Sequence, residues 1–167
     1  MALATARIEW ETRDAGAFES IRVPITNGTQ LYDGQFVQFD SGGRVKPYAA
    51  DAAGTDGGLV LGMVAPTRRD NELATYLLGN TSLSPVPEAI VSIGSFVLSN
   101  VAVTGASAQT NVGALVYLDA ANTAGDRTLT LTSTSNGTAV GEVVAWRTST
   151  RCDVRVFSYA ERRALST

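Results

Sequence analysis

Histidine is absent from this chain, and cysteine, lysine and aromatic residues are scarce. Without histidine the chain lacks the commonest general base, the commonest metal ligand and the usual partner of a catalytic serine or cysteine. The single cysteine, Cys152, cannot form an internal disulfide, and alone it cannot make a zinc site. These absences predict a protein that is not an enzyme and that holds no metal or cofactor.

Long apolar runs are also missing. The longest, such as residues 59–65, fall far short of the roughly 20 residues that a membrane span needs. The first residues lack a cationic segment followed by an apolar one, which is the pattern of a signal peptide. We therefore expect a protein that is made in the cytoplasm of its host and has no membrane partner.

Charge is low, at 17% of residues, and its balance is acidic, with a net charge of −3. Nucleic-acid binding needs a basic surface that displaces counterions, so we expect no direct contact with nucleic acid. Arginine supplies twelve of the thirteen basic residues. Arginine suits interfacial ion pairs better than lysine does, although a GC-rich genome would produce the same bias.

A repeat at a constant offset of 79 residues is the strongest pattern in the chain. Residues 33–40 align with residues 112–119, and Gly62 then aligns with Gly141. Gly34 and Gly62 are separated by the same 28 residues as Gly113 and Gly141. The repeated positions are glycines, interpreted as structural turn residues, and apolar strand positions, so the duplicated feature is a scaffold and not a set of reactive groups.

Strand patterns dominate the sequence, and they predict an all-β fold. We expect two similar small β-units packed as a β-sandwich or barrel-like body, preceded by an N-terminal arm. The predicted divisions are an arm (1–20), a first β-unit (21–78), a connector with an extra strand (79–99), a second β-unit (100–159) and a C-terminal tail (160–167).

Two segments are interpreted from the offset or from local propensity. The offset predicts a strand at residues 72–78, equivalent to 151–157, whereas local propensity equally allows a short helix capped by Asp70. In the second unit, residues 128–132 alternate threonine with leucine, which predicts a strand with leucines on one face and threonines on the other. The tail favours a helix at residues 160–165.

Carboxylates offer the remaining routes to chemistry. Asp51 and Asp56 lie in a glycine-rich loop that could bind calcium, but the EF-hand spacing is absent and both residue types are ordinary in turns. Glu88 and Glu142 could form a glycosidase pair only if they lay about 5–10 Å apart. Sequence does not place them, and exposed glutamates are the ordinary case.

The N-terminal arm holds the candidate contact residues for a partner. Arg7, Trp10, Arg13 and Phe18 combine the residue types that are enriched among interface hot spots. The alternative is a loose terminus with Trp10 folded onto the body. A second candidate is the stretch 147–167, where five arginines face two acidic residues, which would suit an acidic partner or simply a solvated end.

The two copies also resemble a known family. Residues 33–37 followed by 60–65, and residues 113–119 followed by 139–144 and 153–156, are similar to strands of bacteriophage capsid cement, or head decoration, proteins. That family has a strand of the type G-x-x-V-Y-h-D, a later h-G-x-V strand and a terminal D-x-V-R-V strand, where h is apolar. The resemblance covers most of residues 21–159.

The resemblance implies a virion protein on the outer surface of a phage head. Its partner would be the major capsid protein, whose lattice it would stabilise, and it would form a homotrimer at three-fold or quasi-three-fold positions. Two other classes stay open at this point: a tail-associated or carbohydrate-binding β-module, which would need exposed aromatic residues, and an enzyme that uses carboxylates alone.

Overall fold

The computed structural model describes residues 11–12, 19–48, 59–65, 76–118, 129–133 and 139–166. The first strands are β1 (Glu11–Thr12), β2 (Ser20–Pro24), β3 (Gln30–Tyr32), β4 (Phe36–Phe39), β5 (Val45–Pro47), β6 (Gly62–Val64) and β7 (Tyr76–Leu78). They are followed by β8 (Glu88–Ser92), β9 (Phe96–Thr104), a short 3-10 helix (Gln109–Asn111), β10 (Leu115–Leu118), β11 (Leu129–Thr130), β12 (Gly141–Thr148), β13 (Arg151–Val156) and the helix α1 (Tyr159–Leu165). The all-β prediction is therefore confirmed.

The second half of the chain forms a closed five-stranded barrel, here called the second unit. Its strand order is β9-β13-β12-β10-β11, and β11 pairs in parallel with β9, which closes the ring. The other neighbouring strands are antiparallel. Closure leaves few free strand edges, which are otherwise sites of unwanted pairing.

The first half repeats this order, and is here called the first unit. Its strands run β2-β8-β6-β4-β5, again antiparallel between neighbours. A parallel bridge between Ile25 and Val45 joins the end of β2 to β5. In both units the first strand of the chain therefore lies beside the fifth and meets the third in parallel.

An additional two-stranded sheet of β3 and β7, here called the ribbon, distinguishes the first unit from the second. At the offset of 79 residues, β3 coincides with the 3-10 helix of the second unit. In the second unit, β12 and β13 are joined by a tight turn at Ser149, which has a positive φ of 47°. In the first unit, β7 and a long turn lie between β6 and β8.

The predicted division of the chain needs correction at the ends of both units. The prediction placed the last strand of the first unit at residues 72–78, but the strand beside β6 is β8, inside the predicted connector. The described part of 72–78 is β7, which pairs with β3. The single extra strand predicted in the connector is in fact β8 and the start of β9, because the chain turns at residues 93–95.

Two apolar clusters form the interior. One fills the first unit and includes Val37, Val64 and Val91, together with Leu31 and Leu77 from the ribbon. The other fills the second unit and also takes in four residues of the first. Those four are Phe36, Tyr48, Val60 and Met63. The two units are therefore packed together through one face of the first.

Candidate functional site

The repeated hairpin has the same backbone hydrogen bonds in both units. The N–H of Gly34 donates to the carbonyl of Val64 at 2.9 Å, and that of Gly113 donates to the carbonyl of Val143 at 2.8 Å. Both glycines have a positive φ, 78° and 86°, which other residues adopt only at a cost. Three further pairs of bonds recur at the same offset, with donors at residues 35 and 114, 61 and 140, and 64 and 143.

The other two glycines of the repeat do not lie in turns, contrary to their interpretation as turn residues. Gly62 and Gly141 are the first residues of β6 and β12. A Cβ atom at Gly62 would lie 2.1 Å from the carbonyl oxygen of Ser92, and one at Gly141 would lie 2.3 Å from that of Arg155. The two positions are therefore glycine because a neighbouring strand passes too close for a side chain.

The outer surfaces of the two hairpins differ, although their backbones match. Phe36 pairs with Met63 in the first unit, and the equivalent pair in the second unit is Leu115 with Glu142. Phe36 and Met63 are buried in the cluster shared with the second unit, whereas Leu115 is 40% exposed. The same face of the hairpin is thus covered in one unit and open in the other.

Exposed apolar side chains form two groups in the described part of the chain. The first, here called the outer face, comprises Val112, Leu115 and Val144 on the second unit. The second, here called the ribbon patch, comprises Tyr76, Leu78 and Leu83 on and after β7. Tyr76 also contacts Tyr32 across the ribbon, with 5.8 Å between ring centroids.

The chain is similar in fold to a chain in the solved capsid of Myoviridae phage XM1. The match has a TM-score of 0.54 and 18% sequence identity, and it covers 95% of this chain and 96% of the other. At this identity the likeness concerns the fold, and it includes both units. No family model matches the sequence, and no curated protein matches it.

The junction between the units contains a fully buried arginine. Arg162, on α1, donates to the main-chain carbonyls of Val60 (2.9 Å), Leu61 (2.6 Å) and Phe157. Burial lowers the pKa of the Arg162 guanidinium to about 10, so the group stays charged at neutral pH. Its cost of desolvation is offset by hydrogen bonds that join α1 to the strand entry of the first unit.

The start of α1 is fixed by a reciprocal cap. The Ser158 hydroxyl accepts from the N–H of Glu161, whose carboxylate accepts from the N–H of Ser158 at 2.7 Å. Arg155 joins Glu142 and Glu161, with 2.9 Å to each carboxylate. Burial raises the pKa of Glu161, but the hydrogen bonds from Ser158 and Arg155 outweigh it, and the pKa lies below its ordinary value.

The predicted contact residues Arg7, Trp10, Arg13 and Phe18 lie outside the described residues, so their role stays a prediction. Their neighbours Glu11 and Thr12 are described, and they form β1, which pairs with Ser99 and Leu98 on β9. Part of the predicted arm is therefore a strand of the second unit. The arm also ends earlier than predicted, because Ser20 already belongs to β2.

The carboxylates considered for chemistry are placed separately. Glu142 is held by Arg155 on β13, while Glu88 is an exposed residue at the start of β8 in the other unit. Asp51 and Asp56 lie outside the described residues. Within the described ranges, no group of three or more histidine, cysteine or acidic residues could hold a metal ion. None of the helices there is long and apolar enough to cross a membrane.

Cys152 lies inside the second unit with no exposed surface. Burial, together with the adjacent Asp153 carboxylate, raises the pKa of the Cys152 thiol. Because the thiolate is the reactive form, this environment makes the thiol a packing group. Asp153 itself accepts hydrogen bonds from the Arg147 guanidinium and the N–H of Asn100, which fix the end of β13 against β9.

Sequence reasoning missed the outer face, the ribbon patch and Arg162. The offset had aligned Leu115 with Phe36, but a shared strand pattern does not tell which copy is covered by the other. Arg162 lies in a short tail with two adjacent arginines, and nothing in the pattern separates the buried one from its exposed neighbour Arg163. The signal that finds these residues is the packing between the units.

Proposed function

We propose that this protein is a structural component of a phage virion, which binds the outer surface of the capsid and stabilises the lattice of the major capsid protein. The observation that carries the proposal is the fold likeness to a chain of the phage XM1 capsid, which extends over 95% of the protein. The strand motifs of residues 33–37 and 113–119, which resemble capsid cement proteins, give independent support.

The mechanism in this proposal is binding without catalysis. A protein that binds the assembled shell and not its dissociated subunits stabilises the shell by RT ln(1 + [L]/Kd), about 2.7 kcal/mol per site when its free concentration is 100 times Kd. The absence of histidine from the sequence and the buried, high-pKa thiol of Cys152 agree with such a role. The partner is the major capsid protein, and nucleic acid and membranes are not contacted directly.

The proposed form on the capsid is a homotrimer. The low share of charged residues, 17%, reduces the desolvation needed to bring copies together. The arm, through Arg7, Trp10 and Arg13, is the proposed capsid contact, because tryptophan and arginine dominate binding at interfaces. The pairing of β1 with β9 would fix the arm to one side of the second unit.

The test is decoration of heads that lack the protein. Purified protein is mixed with mature heads and, separately, with unexpanded shells, and bound protein is measured after sedimentation and located by cryo-electron microscopy. We expect binding to the outside of mature heads, three-fold symmetric density, and a higher temperature of DNA release. Failure to bind either shell, or binding to tails or to glycans instead, would contradict the proposal.

A further inference from the structure

We infer that the outer face of the second unit is a self-association surface, and that it receives the ribbon patch of a second copy of this chain. The inference goes beyond the proposed function and does not depend on it, since it concerns the free protein in solution. The contact joins different surfaces of the two copies, Leu115 and Val144 on one and Tyr76 and Leu78 on the other.

The first step is the equivalence of the two hairpins. Phe36 and Leu115 occupy the same place in strands whose pairing and hydrogen bonds coincide at the offset of 79 residues. In the first unit this place is covered by another β-unit of the same sequence, and Phe36 has no exposed surface. The hairpin backbone is therefore already seen to support packing against a unit of this kind.

The second step is the composition of the uncovered copy. Leu115 and Val144 are 40% and 39% exposed, and they lie on neighbouring strands at either side of Gly113, which offers no side chain. The solvent side of an antiparallel pair ordinarily carries polar residues in alternation with buried ones. An apolar centre edged by the Glu142–Arg155 ion pair has the composition of an interface core with a polar rim.

The third step identifies the occupant. The covering surface used within the chain belongs to the second unit and is already buried, so a second copy must present a different surface. The ribbon patch is the other group of exposed apolar residues on the described part of the chain, with Leu78 at 48% and Leu83 at 52%. It belongs to the first unit, so copies would join head to tail, which gives a closed ring or an open chain.

The test uses two variants, Leu115→Glu and Leu78→Glu, with Leu165→Glu as the matched control. Leu165 is a comparably exposed leucine, at 52%, that lies on α1 away from both surfaces. We expect wild type and control to self-associate in sedimentation velocity as concentration rises. Each of the two variants should lose at least about ten-fold in association constant, which corresponds to 1.4 kcal/mol.

Mixing the two variants decides whether the contact is head to tail. Leu115→Glu keeps an intact ribbon patch and Leu78→Glu keeps an intact outer face, so an equimolar mixture should form dimers and nothing larger. This recovery also proves that both variants are folded. Val144→Glu, paired with Leu78→Glu in the same way, serves as a second variant on the outer face.

Three results would overturn the inference. Wild type that stays monomeric at about 0.5 mM, well above the range of weak specific interfaces, would exclude self-association through this face. Equal loss in the single variants with no recovery in the mixture would exclude the head-to-tail contact. A monomeric wild type whose binding to heads is abolished by Leu115→Glu would show that the capsid, and not a second copy, covers the outer face.

Discussion

Replacing Gly141 by alanine tests the close approach of β12 and β13 directly. The added methyl carbon would lie 2.3 Å from the Arg155 carbonyl oxygen, 3.1 Å from its carbonyl carbon and 3.2 Å from a Val154 methyl. The oxygen belongs to the backbone of a paired strand, so relief requires the two strands to separate by about 1 Å. Overpacking typically costs about 1–3 kcal/mol, and a backbone obstruction places this change at about 3 kcal/mol or more.

Gly113→Ala is the matched control, because it makes the same chemical change in the same hairpin. A Cβ atom at Gly113 would meet nothing within 4 Å, but the residue has a positive φ of 86°. The cost there is backbone strain alone, about 1–2 kcal/mol. The Gly141→Ala and Gly62→Ala proteins should both be less stable than Gly113→Ala, since each places a methyl group on a carbonyl oxygen.

Urea denaturation followed by circular dichroism measures these differences. At about 2–4 °C per kcal/mol for a chain of this size, Gly141→Ala should also lower the thermal midpoint by about 6–12 °C. The denaturant slope should not change, because the same surface is exposed on unfolding. If Gly141→Ala is no less stable than Gly113→Ala, the close approach of the two strands does not restrict this position and the reasoning fails.

Arg162→Met should lower the free energy of unfolding by about 3 kcal/mol or more, because three buried carbonyls lose their donors; Arg163→Met, at the exposed neighbour, is the control, and equal stability of the two variants would contradict the role of the junction. Deleting residues 2–18 should weaken binding to heads while leaving both units folded, with only the short β1–β9 pairing lost; undiminished decoration would show that the contact lies elsewhere. The pKa of Glu161 is below its ordinary value of 4.5, so the unfolded chain binds the proton more readily. The stability advantage of wild type over Glu161→Gln should be full above about pH 4.5 and shrink as the pH falls further, and an advantage independent of pH in chemical denaturation would refute this.

The all-β class was predictable because alternation and turn residues are local properties of the chain. The glycines at 34 and 113 were found from spacing alone, and their positive φ values explain why the chain has glycine there. The helix predicted at residues 160–165 is present as α1, with a serine cap directly before it. These features depend on interactions between residues that are near in sequence.

The errors have a common physical cause, which is that strand partners are chosen by tertiary packing. The ungapped offset carried the repeat past β6, but the ribbon in the first unit moves the next barrel strand from residue 76 to Glu88. Residues 128–132 were expected to separate leucines from threonines on two faces. Leu129 and Thr130 are both buried, because β11 is paired on both sides where the barrel closes.

The candidate site was the part least accessible from sequence. A tryptophan or arginine attracts attention by its type, which led to the arm, whereas Leu115 and Val144 look like ordinary strand residues. Their exposure becomes visible only when Phe36, their covered counterpart, is compared in the folded protein. Surface and core positions share one alphabet of apolar residues, so the comparison of the two units supplies what the pattern lacks.

The contacts of Arg162 also bear on the order in which the protein matures during translation. Its guanidinium reaches the carbonyls of Val60 and Leu61, which precede it by 102 and 101 residues. At about 5–20 residues per second, the ribosome needs about 5–20 s to deliver the arginine after the two carbonyls have been made. During that interval the nascent first unit has its strands but lacks the bonds that seal them, so folding of the second unit completes the first.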